Sequence, residues 1–522
     1  MSDIGTILLG LGDKLAAHVL LSAAAIALGI AVALPLAIWA SRSPAVARAT
    51  LGFASLVQTI PALALLALFF PILLSLRAVF GEGLPTLGFL PALLALSLYA
   101  LLPILRNAVT AQTNLDPGVI EAADGVGMTF WQRLRLVEAP LSAPYIMAGI
   151  RTAAVWTIGA ATLSTTIGQP SLGDPIFAGL QTQNWVLVLA GCLASAGLAL
   201  VTDALLGTIE KGLASRRRFL TWGGLATVAL GILAALAIQA GEGRDDRIVI
   251  GAKGFSEQYI LARLIGQRLE ATGYAVDYRD GLGSAVAHRA LSTGAIDVLV
   301  DYTGTIWTNE MGRSDNPDRD TMLAEIVEWE DRTSGTRVLG RLGFENAYGL
   351  AMPRTAAEAG GFETIGDLAS RAQSMSIGGD PEFFERPEWI AVRKAYGLRF
   401  GERRNFSPTF MYNALKSGEA DVIGAYTSDG RIAADDLVFL DDPERAFPNY
   451  DAIVLLSPEA SEDEGIAAAL SPLVGAIDVA AMREANLSVD RDEDKLTFEE
   501  AARRLAKRSA RFASSVSSIT TR

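Results

Sequence analysis

Residues 213–258 read LASRRRFLTWGGLATVALGILAALAIQAGEGRDDRIVIGAKGFSEQ. Arg216, Arg217 and Arg218 precede an apolar run over 219–240. At about 1.5 Å per helical residue, that run is long enough to cross a bilayer core of about 30 Å. Gly241-Glu-Gly-Arg-Asp-Asp-Arg247 is polar and flexible, and Ile248-Val-Ile-Gly251 then reads as a buried strand. The chain changes solvent here, from lipid to water. The link of residues 241–247 reaches roughly 25 Å at full extension, so the part that follows is expected to stay near the membrane surface.

Upstream, five more stretches are apolar enough to span: 18–40, 51–76, 88–105, 142–166 and 184–207. Met1–Asp13 has no basic n-region, and the run from His18 to Ala40 is too long for a signal-peptide core, so it reads as a retained membrane helix. Basic residues set the orientation. The segments after the first, third and fifth spans hold Arg42, Arg48, Arg106, Arg133, Arg135, Lys211, Arg216, Arg217 and Arg218, whereas the opposite segments hold Lys14 and Arg77. The arginine-rich side is expected to be cytoplasmic, which puts both termini outside.

Downstream, residues 248–508 alternate strand and helix patterns. Strands are expected at 248–251, 275–279, 296–301, 336–340, 347–352, 375–378, 421–425, 437–440 and 452–456. Helices are expected at 256–271, 284–293, 319–333, 364–371, 388–396, 409–417, 462–475, 478–485 and 497–509, with Ser256 capping the first and Gly273 following it. Such alternation implies an α/β domain with mostly parallel sheets. About 260 residues is large for one sheet, so two lobes with a cleft between them are expected. The first would comprise about 248–352 and 453–510, the second about 353–452.

Composition removes several function classes. The chain has 522 residues and a net charge of −13, with the acidity mainly in its second half, so no basic face favours a nucleic-acid partner. One cysteine, Cys192, allows no disulfide framework and no cysteine metal site. His18 and His288 lie in different halves, and neither is assigned a role. No catalytic grouping, metal constellation or cofactor motif appears, and no G-x-x-x-x-G-K-[ST] phosphate loop is present, so any ATP hydrolysis must come from another chain.

Between the third and fourth spans stands Glu121-Ala-Ala-Asp-Gly-Val-Gly127, followed by Val137-Glu-Ala-Pro140. This resembles the EAA loop of ABC importer permeases in every spacing, with Ala139 where the family usually has Leu. The resemblance implies a short cytoplasmic coupling helix that docks on an ATPase subunit. Small Ala122, Ala123 and Gly127 would permit close approach, Glu121 would pair with a base on the partner, and Pro140 would close the motif. Residues 91–107 and 148–159 are similar to permeases of glycine betaine, carnitine and choline importers, and the likeness covers about 15–215.

The soluble half is similar to the osmoprotectant-binding proteins of the same importers. Lys253-Gly-Phe-Ser-Glu-Gln258 matches the family's KNFTEQ segment, with Gly254 in place of Asn. Asp301-Tyr-Thr-Gly-Thr305, Ala425-Tyr-Thr-Ser-Asp-Gly-Arg-Ile432 and Phe447-Pro-Asn-Tyr450 match three further segments. A quaternary ammonium has no N–H to donate, so aromatic faces must grip it, at about 0.5–2 kcal/mol each. The resemblance places four cage tyrosines on Tyr302, Tyr348, Tyr426 and Tyr450. It also places a carboxylate-binding arginine on Arg386, within Glu382-Phe-Phe-Glu-Arg-Pro387, although Pro387-Glu-Trp389 replaces the usual Glu-Asp-Gly. Ser284 either touches the ligand or caps the helix after it.

The expectation is therefore a multi-domain chain. An all-α polytopic permease domain (1–240) joins through 241–247 to an extracytoplasmic α/β, two-lobed, periplasmic-binding-protein-like domain (248–522). It would sit in the bacterial inner membrane, homodimerise through its permease half and need a separate cytoplasmic ATPase, with no enzymatic activity of its own. The expected cargo is glycine betaine, carnitine or choline. The alternatives are ergothioneine, since fused chains of this plan resemble ergothioneine importers, and a membrane-anchored sensor without transport.

Overall fold

A computed structural model describes residues 4–81, 84–182, 184–241, 247–406, 408–491 and 493–520. They form two compact units. One lies within Ser2–Ile176 and Val186–Gly243, the other within Phe177–Trp185 and Arg244–Arg522. Most of the expected linker 241–247 lies outside the described residues.

Among the described residues, six helices are long and apolar enough to cross a membrane: Gly12–Ala40 (α1), Ala62–Phe80, Phe89–Thr113, Phe130–Ile167, Trp185–Ala214 and Arg218–Ala240. The expected second span, 51–76, is corrected: it is two helices, Pro44–Thr59 (α2) and Ala62–Phe80 (α3). The break is at Pro61, because a residue before proline is pushed out of the helical region, and Ile60 stands at φ −76°, ψ 127°. Phe89–Thr113 (α4) runs past the expected end at 105, its polar last turns staying helical. Then come Pro117–Gly125 (α5) and the long element Phe130–Ile167, whose regular part is Ala139–Ala161 (α6).

Helices α1, α4 and α6 pack on one another around Ala33, Ala37, Ala100, Ile104, Leu105 and Ala153. Small residues make that approach possible. A Cβ on Gly149 of α6 would lie 2.7 Å from Asn107 Cβ of α4. Large apolar side chains such as Trp39, Phe53, Trp156, Leu200 and Trp222 stay exposed, as a lipid-facing surface requires.

The α/β unit holds two five-stranded sheets. Arg247–Lys253 (β1), Ala275–Leu282 (β2), Val298–Tyr302 (β3), Arg337–Glu345 (β4) and Asp451–Leu456 (β10) order as β2-β1-β3-β10-β4. Tyr348–Pro353 (β5), Ser376–Gly379 (β6), Glu402–Asn405 (β7), Val422–Tyr426 (β8) and Leu437–Phe439 (β9) order as β7-β6-β8-β5-β9. The sheets are mixed, which corrects the mostly parallel expectation. β1–β2, β1–β3, β6–β7 and β6–β8 are parallel, but β10 runs antiparallel to β3 and β4, and β5 antiparallel to β8 and β9. β5 and β10 are the strands by which the chain enters each sheet from the other lobe, so no βαβ crossover fixes their direction. The change of lobe comes between β4 and β5, earlier than residue 353, and the return precedes Asp451.

Ser256–Ala271 (α7) has its expected bounds and Gly273 follows at φ +98°, but Ser256 does not cap it. Its hydroxyl instead donates to Asp490 Oδ1 at 2.6 Å, within Val479–Asp490 (α8). The expected helix 462–475 is Pro458–Glu462, Glu464–Leu470 and a tight turn at Ser471–Leu473. Strand β7 was not foreseen, because Glu402-Arg-Arg-Asn405 is a charged edge with no apolar alternation.

Candidate functional site

All six side chains proposed for the ligand, Tyr302, Tyr348, Tyr426, Tyr450, Arg386 and Ser284, line one cleft of about 380 Å³, together with Lys253, Phe255, Asn346 and Asp380. Sheet register explains much of this. Tyr302 ends β3 opposite Ala452 of β10, and Tyr450 immediately precedes β10. Tyr348 and Tyr426 are direct cross-strand partners of β5 and β8. The walls therefore come from both lobes.

The rings form a connected set. Tyr348 and Tyr426 lie 4.8 Å apart between centroids, and Tyr450 meets Tyr348 edge-on at 5.9 Å. Phe255 stacks at 6.3 Å on both Tyr302 and Tyr426, joining the pairs. Glycine makes room at one point: a Cβ on Gly304 would meet the Tyr450 ring at 2.7 Å.

Each phenol is anchored. Tyr302 donates to Glu257 Oε1 at 2.6 Å and accepts from Gln258 Nε2 at 3.0 Å. Tyr426 donates to Asp380 Oδ2 at 3.0 Å and lies 3.1 Å from the Tyr348 hydroxyl, while Tyr450 donates to Glu388. Burial pushes the Tyr302 phenol well above the usual tyrosine range, with Glu257 adding to the effect. Burial does the same for Tyr450, so both rings stay neutral and keep electron-rich faces.

Arg386 is buried, its guanidinium carbon 5.3 Å from the Tyr348 ring centre and Nη1 3.9 Å from Glu388 Oε1. It stands between Pro381–Glu385 and Pro387–Ala395, so the altered Pro387 starts a helix instead of removing the arginine from the cleft. Gly283 occupies the cap of Ser284–Ser292, where no side chain caps, and Ser284 lies half-buried on the cleft wall. Lys253 is neutralised within the wall by Asp301 at 2.5 Å.

In the helical unit, Glu121, Ala122 and Ala123 lie on α5, whose start Asp116 caps by accepting from Gly118 N at 2.8 Å. Glu121 and Ala122 are exposed and Ala123 is buried. Gly127 turns the chain at φ +77°, a conformation that favours glycine, and exposed Pro140 sits at the start of α6. Glu138 is buried, accepting from Arg133 Nε at 2.8 Å and Arg42 Nη2 at 3.3 Å; Arg133 also donates to Asp124 of α5 at 2.7 Å.

Residues 246–508 match the family described as the substrate-binding domain of an ABC-type glycine betaine transport system, and residues 25–215 match the inner membrane component of binding-protein-dependent transport systems. The ergothioneine transport permease/ergothioneine binding protein of Helicobacter pylori (strain G27) is 31% identical over 424 residues, 77% of this chain and 73% of that protein. The glycine betaine/carnitine/choline transport system permease of Bacillus subtilis (strain 168) is 40% identical over 198 residues, 38% of this chain and 86% of that protein. The carnitine transport permease of Listeria monocytogenes is 45% identical over 193 residues, 37% of this chain and 83% of that protein. The chain belongs to the osmoprotectant-type ABC importers. It is a permease fused to its substrate-binding domain, a membrane component whose family works with an ATPase partner on a small-molecule substrate.

For an importer of this type, sequence reasoning missed Phe255, Asn346 and Asp380 on the cleft wall. Phe255 lies inside the quoted Lys253–Gln258 segment, and its aromatic character was the available signal. Asp380 caps a short helix by accepting from Phe383 N at 2.9 Å, and Asn346 lies in the crossover between β4 and β5, so neither carried a cue that pointed to a ligand.

Proposed function

We propose that this importer captures a quaternary-ammonium zwitterion of the glycine betaine or carnitine kind. The observation that carries this reading is the set of five aromatic rings, from Phe255, Tyr302, Tyr348, Tyr426 and Tyr450, on the cleft that also holds Arg386. A trimethylammonium group is held by ring faces, and the carboxylate by charge-assisted hydrogen bonds from Arg386. Because the walls come from both lobes, ligand favours the closed arrangement of the two. Choline lacks the carboxylate and would leave Arg386 without a ligand partner.

In this reading two permease halves form the channel in the bacterial cytoplasmic membrane, with the arginine-rich loops inside and the binding domains outside. Glu121, Ala122, Ala123, Gly127 and Pro140 belong to the surface on which a separate ATPase docks. Fusion holds the binding domain at an effective concentration on the order of millimolar above the channel.

Ergothioneine is a second reading, favoured by the one relative quoted above whose match covers both halves. It too carries a trimethylammonium and a carboxylate, and its thioimidazole would meet Asn346 or Asp380. Calorimetric titration of the detergent-solubilised chain with glycine betaine, carnitine, choline and ergothioneine tests both. Tight binding of glycine betaine or carnitine supports the first reading, and binding of ergothioneine alone replaces it with the second. Binding of none removes the quaternary-ammonium reading.

A further inference from the structure

Glu257 is a buried residue of α7 that does not line the cleft; it stands behind the wall. Its Oε1 accepts from the Tyr302 hydroxyl at 2.6 Å and from Asn346 Nδ2 at 3.2 Å, and its Oε2 accepts from Asn486 Nδ2 at 3.0 Å. Every one of these partners donates. Gln258 supplies an N–H to the Tyr302 oxygen, which leaves the phenol proton for Glu257. Burial raises the Glu257 carboxyl above its usual range, and hydrogen bonds from Ser428, Tyr302 and Asn486 oppose that rise while Asp429 adds to it; the all-donor geometry thus favours the ionised form against its desolvation.

No lysine, arginine or histidine forms an ion pair with Glu257 among the described residues. The nearby cation Lys253 is matched by Asp301, so it leaves the Glu257 charge uncompensated. A buried carboxylate without a cation is costly, and a cationic ligand in the cleft would supply the missing charge. Donation to a carboxylate also makes the phenol oxygen, and with it the ring face, more electron-rich, which strengthens the hold on a cation.

We propose that Glu257 is a specificity-determining residue, a buried negative charge behind Tyr302 that selects a ligand with a cationic head group over one of the same shape whose head group is uncharged. This rests on reading the cleft as a quaternary-ammonium site. Glu257 also has a structural role to be separated from this one, because Asn486 donates both to it and to Ser428 O of the other lobe at 3.0 Å.

The test uses the solubilised full chain and two probes, glycine betaine and 3,3-dimethylbutanoate, in which carbon replaces the nitrogen. The wild-type chain prefers glycine betaine. Glu257→Gln weakens glycine betaine by about tenfold, as removal of one charge across a partly dry wall should, and leaves 3,3-dimethylbutanoate within about twofold. Equal weakening of both probes reduces Glu257 to a structural support and overturns the proposal, as does no weakening of either. A wild-type chain that binds 3,3-dimethylbutanoate as well as glycine betaine overturns it too. A wild-type chain that binds neither removes the reading of the cleft as well. Should Glu257→Gln fail to melt cooperatively, Glu257→Asp keeps the charge but draws it back by one methylene. The preference for glycine betaine then falls about threefold, and an unchanged preference decides against the role.

Discussion

The proposed coupling loop and the ligand cleft are built on opposite plans. On α5 the side chains offered to a partner are exposed: Glu121 and Ala122 face solvent, and Val126 beyond them is 74% exposed. In the cleft the offered groups are withdrawn, with Tyr302 4%, Tyr450 2% and Arg386 5% exposed. The difference follows from partner size. A protein surface brings its own area to exclude water, whereas a small cation needs a wall that is already dry. Tyr302 and Tyr450 thus belong to the hydrophobic core of their domain, and the exposed loop residues Glu121 and Ala122 do not. Substitutions should therefore lose stability together with function in the cleft, and function alone on the loop.

The largest expected effect is Tyr450→Ala. The ring is buried, packs on Tyr348 and is held by Glu388. Its removal should cost about 3–5 kcal/mol of stability and weaken glycine betaine by about thirtyfold. Thermal unfolding and titration on the same sample read both quantities. A variant that binds normally would take Tyr450 out of the cage.

Glu138→Ala sharpens the comparison, because Glu138 is a buried charged member of a loop whose Glu121 and Ala122 are exposed. It joins Arg42, at the turn between α1 and α2, to Arg133, which in turn holds Asp124 of α5. Its loss should cost about 1–3 kcal/mol and lower substrate-stimulated ATPase activity of the assembled importer by about tenfold. Wild-type stimulation in proteoliposomes would separate α5 from this carboxylate.

Asp490→Asn tests the lobe junction beside the cleft. Asp490 accepts from Ser256, and burial, opposed by Arg431, pushes its carboxyl up to about 6. The unfolded value is near 3.9, so between these limits the folded state holds the extra proton. Stability from this group is complete below about pH 4 and is lost as pH rises through about 6. The wild-type chain should lose about 3 kcal/mol across that range relative to Asp490→Asn, which does not titrate. Parallel pH profiles of the two melting temperatures would contradict the assignment.

How much was legible in the sequence follows the same division. The coupling motif is contiguous, so its spacing is visible on the page. The spans are legible because lipid demands unbroken apolar runs, and the misreading at 51–76 came from weighing hydropathy above the single proline at 61. Strand positions in the soluble half could be read from apolar runs, but strand direction could not. That depends on the lobe from which β5 and β10 arrive. The proposed cage draws on residues as distant as Phe255 and Tyr450, and only family resemblance joined its tyrosines. Phe255 had only its aromatic character within the Lys253–Gln258 segment as a mark and Asp380 had none, since ring stacking and an acidic hydrogen bond to Tyr426 arise only once both lobes are folded.

The smallest expected effect on stability, and the most direct attempt to break the comparison, is Glu121→Ala. Its side chain is exposed, and α5 keeps its Asp116 cap and the Asp124–Arg133 pair without it. Alanine is also the better helix former, so stability should stay within about 0.5 kcal/mol. Glycine betaine should bind as before, because the cleft is untouched. Transport in proteoliposomes with the cognate ATPase should nevertheless fall, by about tenfold, because the carboxylate proposed to meet the partner is gone. A fall in stability matching the fall in transport would mean that the loop, like the cleft, acts through the fold of its own domain. Intact transport would move the docking surface elsewhere on the helical unit.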